Sequence, residues 1–219
     1  MMEKVTKSTK QEGQDTGKKK KVRMKRFVVF WALIYLKIVK MLGRFEVKNF
    51  ERIQPDTMLG FWHGDTYLVY MVLEKIMEVH DNVKAIVTSN PRGEYIESII
   101  GAMGAKAIRL PDGMAMFPMF RALKAESKEP GLILAASFDG PTGPVHEPKK
   151  LLFLLAKEAE KRVTYIRIEA KGVIRMKRRW DQYIFPLPFA RITAYIEDLG
   201  PIDQEILQNF QEYRMQIKY

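Results

Sequence analysis

The 219-residue chain contains no cysteine. That excludes a disulfide framework, thiolate metal sites, a Cys nucleophile and a CxxC redox centre. Histidine is scarce as well: His63, His80 and His146 are the only three. That is too few for a multi-His metal centre, and neither a metal nor a cofactor is expected. Long apolar runs are missing. The longest, Phe27 to Leu36, has ten residues, whereas a helix crossing the hydrocarbon layer needs about 20. No small-residue cleavage site follows it, and the charged leader before it is too long for an ordinary signal peptide. There is no Gly-x-x-x-x-Gly-Lys-[Ser/Thr] loop and no Gly-x-Ser-x-Gly elbow, and no Gly-x-Gly-x-x-Gly follows the first strand of the main domain. A P-loop, an α/β-hydrolase and a dinucleotide site are therefore unsupported.

What is present is apolar material and positive charge. The hydrophobic fraction is 47 %, enough to bury a core and to exclude wholesale disorder. The formal net charge is +11, which favours phosphate-rich partners. Residues 1–26 hold ten Lys/Arg against Glu3, Glu12 and Asp15, a net +7 that leaves +4 on the other 193 residues. This segment reads as a disordered basic arm. Residues 27–44 follow as a hydrophobic, amphipathic helix, with Lys37 and Lys40 three apart on one face. Next to a polybasic arm, such a helix is expected to lie in an anionic membrane interface. A first core helix behind a disordered leader is one alternative, and a nucleic-acid-binding arm is another. Nothing in the chain resembles an RNP motif, a zinc finger or a helix-turn-helix, so no nucleic-acid partner is expected.

Residues 45–219 read as one α/β domain. Strands are expected at 57–62, 83–88, 105–110, 131–137, 163–168 and 191–196. Helices are expected at 65–79, 94–103, 115–127, 148–161 and 201–219. This alternation predicts a single domain with a mainly parallel mixed sheet flanked by helices. Functional groups in such sheets gather at the carboxyl ends of the strands.

Three strand-end loops are rich in polar groups. Phe61-Trp62-His63-Gly64-Asp65 places an imidazole between a strand and a helix, where it is suited to proton transfer, and Asp65 is also a helix cap. Thr88-Ser89-Asn90-Pro91-Arg92-Gly93-Glu94 offers hydroxyls, a guanidinium and a carboxylate before a helix N-terminus, a setting for an anion. Ser137-Phe138-Asp139-Gly140-Pro141-Thr142-Gly143-Pro144 is a rigid turn with backbone amides fit to hold an oxyanion or a phosphate. The Met-rich stretch around Met114, Met116 and Met119 suits either an acyl-chain channel or core filling. Lys171, Arg175, Lys177, Arg178 and Arg179 form a basic cluster suited to lipid headgroups, to an acidic carrier protein, or simply to solvent.

The order Phe61-Trp62-His63-Gly64, Thr88-Ser89 with Arg92-Gly93-Glu94, Asp139-Gly140-Pro141-Thr142-Gly143-Pro144, then Trp180-Asp181 and Pro186-Leu187-Pro188-Phe189 resembles the lysophospholipid-acyltransferase-like family also known as domain of unknown function 374. The resemblance covers roughly residues 45 to 200. It implies a glycerolipid acyltransferase-like fold. It also implies transfer of an acyl group from an acyl carrier protein or coenzyme A thioester to a hydroxyl of a lysophospholipid or lipid A precursor, at the cytoplasmic membrane face. Carried onto this chain, His63 matches the catalytic base and the 137–144 loop the acceptor-phosphate loop. Trp62, Ser89, Arg92, Arg109, Gly140, Thr142 and Gly143 become substrate-binding candidates. The wider superfamily has an Asp five residues after its His; here that residue is Leu68. Asp65, Glu94 and Asp139 are the candidates to orient His63 instead. If none does, the chain is a non-catalytic lipid-binding relative. Trp180-Asp181 and Phe185–Phe189 are expected to form a rigid structural turn bordering the site mouth.

Overall fold

The computed structural model describes residues 23–111 and 116–219. Seven strands form one sheet in the order β1-β7-β6-β2-β5-β3-β4: β1 (Arg44–Lys48), β2 (Thr57–Phe61), β3 (Val83–Thr88), β4 (Lys106–Leu110), β5 (Ile133–Ser137), β6 (Arg162–Arg175) and β7 (Ile184–Pro201). Strands β6, β2, β5, β3 and β4 run parallel; β7 turns antiparallel to β6, and β1 pairs parallel with β7. The mainly parallel, helix-flanked α/β sheet expected from the alternation is present.

Helices α1 (residues 23–42), α2 (Thr66–Met77) and α3 (Pro91–Ala102) cover one face. Helices α4 (Met116–Ser127), α5 (Lys150–Ala159), α6 (Gln204–Gln208) and α7 (Phe210–Tyr213) belong to the other. Two apolar cores result, one around Leu68, Val72, Ile166 and Ile196, the other around Met58, Phe138, Phe153 and Tyr165. The central strand β2 is buried on both sides, as a doubly covered parallel strand must be. In α2 nine of the twelve residues are buried, which explains apolar side chains on most of its faces.

Chain direction fixes where a ligand crevice lies. From β2 the chain moves through α2 and α3 to β3 and β4 on one face; from β5 it moves through α5 to β6 on the other. Since β2 and β5 are neighbours, their carboxyl ends flank the topological switch point, where open α/β sheets bind ligands.

Several expected boundaries move. Residues 1–22 of the basic arm lie outside the described residues, but Arg23–Arg26 are already helical; Arg and Lys are good helix formers. The helix stops at 42 rather than 44. A Cβ on Gly43 would lie 2.5 Å from the Ala190 carbonyl, so this glycine is where the chain presses against β7. Arg44 then opens β1, a short edge strand with no apolar run to announce it. The 201–219 helix is two short helices and a 3-10 turn. Phe185–Phe189 is the start of β7 rather than a turn. Met114 lies outside the described residues, while Met119 and Phe120 pack against the second core.

Candidate active site

The loop after β2 begins at Trp62, and His63–Asp65 make one 3-10 turn before α2. Thr66 Oγ1 donates to the His63 carbonyl at 2.6 Å, and the Asp65 amide donates to the Trp62 carbonyl at 3.0 Å. The loop after β5 grips this turn from the side. Asp139, fully buried, accepts the His63 backbone N–H on Oδ1 at 3.0 Å and the His146 N–H on Oδ2 at 3.4 Å. One carboxylate therefore ties both loops of the switch point together.

The carboxylate facing the imidazole comes from neither loop. It is Asp181, in the turn of the β6–β7 hairpin, with Oδ2 3.8 Å from His63 Nε2. That is ion-pair range and longer than a direct hydrogen bond. Asp181 is fully buried and tightly held. Arg179 donates to it twice, Nε to Oδ1 at 2.9 Å and Nη2 to Oδ2 at 2.7 Å, the bidentate geometry that best fixes a carboxylate. The Tyr183 amide adds a third donor at 3.3 Å. Trp180 lies over the imidazole, with ring centroids 5.2 Å apart.

Two glycines make this approach feasible. A Cβ on Gly64 would stand 2.3 Å from the Asp181 carbonyl oxygen, and one on Gly143 would stand 2.6 Å from the Trp180 ring. The His-Gly, Gly-Pro and Trp-Asp pieces of the sequence thus meet in space, each shaped to the next.

The electrostatics suit a neutral base beside a fixed anion. Burial pushes the His63 pKa down; the Asp181 charge offsets this in part, and the Arg179 and Arg92 cations add to the lowering. The ring is unprotonated at neutral pH, and 27 % of the side chain stays exposed. Burial pushes Asp181 up, but the hydrogen bonds and charge of Arg179, with His63 nearby, outweigh it and hold the carboxyl below its usual range. With its proton on Nε2, toward this carboxylate, the ring would have the Nδ1 lone pair to accept another.

The other candidates fall into different places. Asp65 is buried with both carboxylate oxygens unpartnered; it neither touches the imidazole nor caps α2 through its side chain. Its burial, opposed by Arg175 and reinforced by Asp139, raises its pKa to about 7. Glu94, in the first turn of α3, makes no contact with the ring. Asp139 holds the His63 backbone rather than its ring. None of the three lies against the imidazole; the carboxylate nearest the ring is Asp181. Trp62 is fully buried, its Nε1 donating to Tyr165 Oη inside the second core, so it is a packing residue rather than a substrate contact. Arg109 is committed to the α3 start: Nη2 donates to the Asn90 carbonyl at 3.3 Å and Nη1 lies 3.5 Å from Glu97. Arg92 is exposed at that helix start, and Ser89 is exposed just before it. Thr142 is exposed on the 138–149 loop, between Gly140 and Gly143, both of positive φ.

An open groove of about 470 Å³ lies between α1 and α3, walled mainly by Val29, Phe30, Leu33 and Ala102, with Lys25 and Arg26 beside it. None of the three strand-end loops lines it. Among the described residues no group of three or more His, Asp or Glu is arranged to hold a metal ion. Comparison with known proteins finds no matching family model, no matching curated protein and no matching solved structure.

Proposed function

We propose that the chain is a membrane-surface acyltransferase, moving an acyl group from an acyl carrier protein or coenzyme A thioester to the hydroxyl of a lipid acceptor, a lysophospholipid or a lipid A precursor. The observation that carries this reading is the neutral, part-exposed His63 beside a buried, anionic Asp181 at the switch point of the sheet. His63 Nδ1 takes the proton of the acceptor hydroxyl as its oxygen attacks the thioester carbonyl. The new C–O bond forms, the C–S bond breaks, and the imidazolium returns the proton to the departing thiolate. Asp181 stabilises the imidazolium between these steps, and no covalent acyl-enzyme is needed. Backbone amides of the Gly140–Gly143 turn are the candidate oxyanion or phosphate donors, and Arg92 at the capped start of α3 is the candidate partner for an acceptor phosphate. We place the protein at the cytoplasmic face of the cell membrane, peripheral or monotopic; no described helix is long and apolar enough to cross a bilayer.

The test is thiol release from palmitoyl-coenzyme A or palmitoyl-acyl carrier protein, in detergent with lysophosphatidic acid or a lipid A precursor as acceptor. A chain without cysteine gives no protein thiol background. His63→Ala is expected to lower turnover by about 100- to 10,000-fold with its melting transition retained. Thiol release that is the same with and without His63, or absent with every pairing, overturns the reading.

A further inference from the structure

The β6–β7 hairpin carries Asp181, and it also carries exposed apolar side chains that the catalytic proposal leaves unused. Between Lys171, paired with Arg191, and Val173, paired with Pro186, the ladder has one residue on β6 and four on β7. Residues 187–190 therefore bulge out of the sheet. Leu187 and Phe189 project from the bulge, and Phe189 is 72 % exposed. Its φ of 68° lies in the left-handed region, which an aromatic residue rarely adopts. Bulges next to active sites commonly re-aim a side chain, and this one holds a large apolar ring in water. Pro186 and Pro188 stiffen it.

The bulge is joined to α1. Tyr35 Oη donates to the Pro186 carbonyl at 2.8 Å, the Tyr35 and Phe185 rings stack at 4.9 Å, and Gly43 presses on Ala190. Ile174 lies opposite Phe185 in the ladder, on the side that meets α1, and is half exposed. Helix α1 itself exposes Phe27, Phe30 and Trp31. Two segments far apart in sequence thus meet through Tyr35, and each exposes large apolar side chains. Both segments are basic in sequence, with Lys40 of α1 paired to Glu74 of α2. Residues 23–42 contain five basic and no acidic residues, and residues 170–191 contain six basic residues against Asp181 alone, which is buried and held by Arg179.

We infer that the β6–β7 hairpin is a second lipid-contact element, docking with α1 on the surface of an anionic bilayer so that the turn carrying Trp180 and Asp181 is seated at the membrane. Exposed apolar side chains on two basic, touching segments fit anionic headgroups over acyl chains. The inference deepens the membrane-surface part of the reading above and does not depend on the acyl chemistry.

The absence of cysteine allows a single reporter. Phe189→Cys in the full chain, labelled with an environment-sensitive nitrobenzoxadiazole dye, is titrated with vesicles containing phosphatidylglycerol or phosphatidylcholine alone. The expected result is a blue-shifted, brighter emission with phosphatidylglycerol vesicles, quenched by a lipid-borne quencher. A label at Glu205→Cys, on α6 over the opposite sheet face, should not respond. The Leu187→Ser/Phe189→Ser double variant should bind those vesicles about ten-fold or more weakly, with its melting transition unchanged. Binding that quenches Trp31 but leaves the 189 label silent overturns the inference, because α1 then docks alone. A shift that grows with protein concentration and needs no vesicles also overturns it, in favour of contact between copies. No vesicle binding at all overturns it too, while thiol release in detergent still reports separately on acyl transfer.

Discussion

Asp65 shows how a single side chain can work against the fold that contains it. Its carboxyl is ionised in the unfolded chain above its ordinary 3.8, yet inside the protein it keeps its proton up to about 7. Between those values the folded state binds more protons than the unfolded one, so stability declines as pH rises from about 4 to about 7. Asp139, raised to about 6 mainly by burial, pulls the same way. Asp65→Asn should therefore gain on the order of 1 to 3 kcal/mol over the native chain at pH 8 and little or nothing at pH 4, read from denaturant melts at the two pH values. A gain of equal size at both would mean that packing, not ionisation, is responsible. Arg92 acts at a distance on a different group. Its cation helps to depress the His63 pKa, so Arg92→Ala should move the acid limb of kcat/KM to higher pH, by roughly a few tenths of a unit. The KM for a phosphate-bearing acceptor should rise about ten-fold. The imidazole was legible from sequence because residue type and strand-end position announce it together. Its partner was not. Asp181 lies 118 residues away, in a turn with no apolar period, and its role depends on a tertiary contact. The one local sign was Gly64 after the histidine, where a Cβ would stand only 2.3 Å from the Asp181 carbonyl oxygen.

At the scale of elements, α3 is the part whose ends matter most. Asn90 caps it: the side-chain oxygen accepts the Gly93 N–H at 3.0 Å, Pro91 follows in the first turn, and Arg109 holds the Asn90 carbonyl. This cap aims the helix start and Arg92 together. Asn90→Ala should cost about 1 kcal/mol of stability and raise the acceptor KM more than it lowers kcat; a fall in kcat alone would show that the helix start does not bind the acceptor. The elements that sequence alone located well are the buried ones. Strands β2, β3 and β5 are short, largely apolar runs because both their faces are covered; α2 is apolar on most faces because it is buried on most of them, and α5 shows helical apolar spacing because one face packs on the sheet. The missed elements obey other constraints. Strand β1 is held by its ladder to β7, from Arg44 opposite Arg191 to Lys48 opposite Tyr195, not by its own composition. The outer half of the β6–β7 hairpin contains Gly172, Pro186 and Pro188, which read as turn residues because in most sheets they break a strand. Here they shape a bulge, and the strand continues past it.

For the whole molecule, the proposed membrane surface would set one orientation. The carboxyl ends of β2 and β5, the Asp181 turn, the bulge of β7 and the basic helix α1 form a connected set, whereas α5, α6 and α7 pack on the opposite face. With +11 over 219 residues, association with an anionic surface should be fast and strongly dependent on ionic strength. Raising salt from about 0.1 M to about 1 M shortens the screening length from about 10 Å to about 3 Å, which removes attraction between separated charges while leaving apolar insertion intact. Vesicle co-sedimentation should therefore fall steeply over that range but retain a salt-resistant fraction set by Phe27, Trp31 and Phe189, all more than half exposed. Removing residues 1–22 should lower the salt-sensitive part and spare the resistant one, because the arm carries charge and almost no large apolar side chains. Trp31→Ser with Phe189→Ser should do the reverse. If deletion of the arm abolished the salt-resistant fraction as well, the exposed apolar side chains would not reach the bilayer, and binding would be a property of the arm alone.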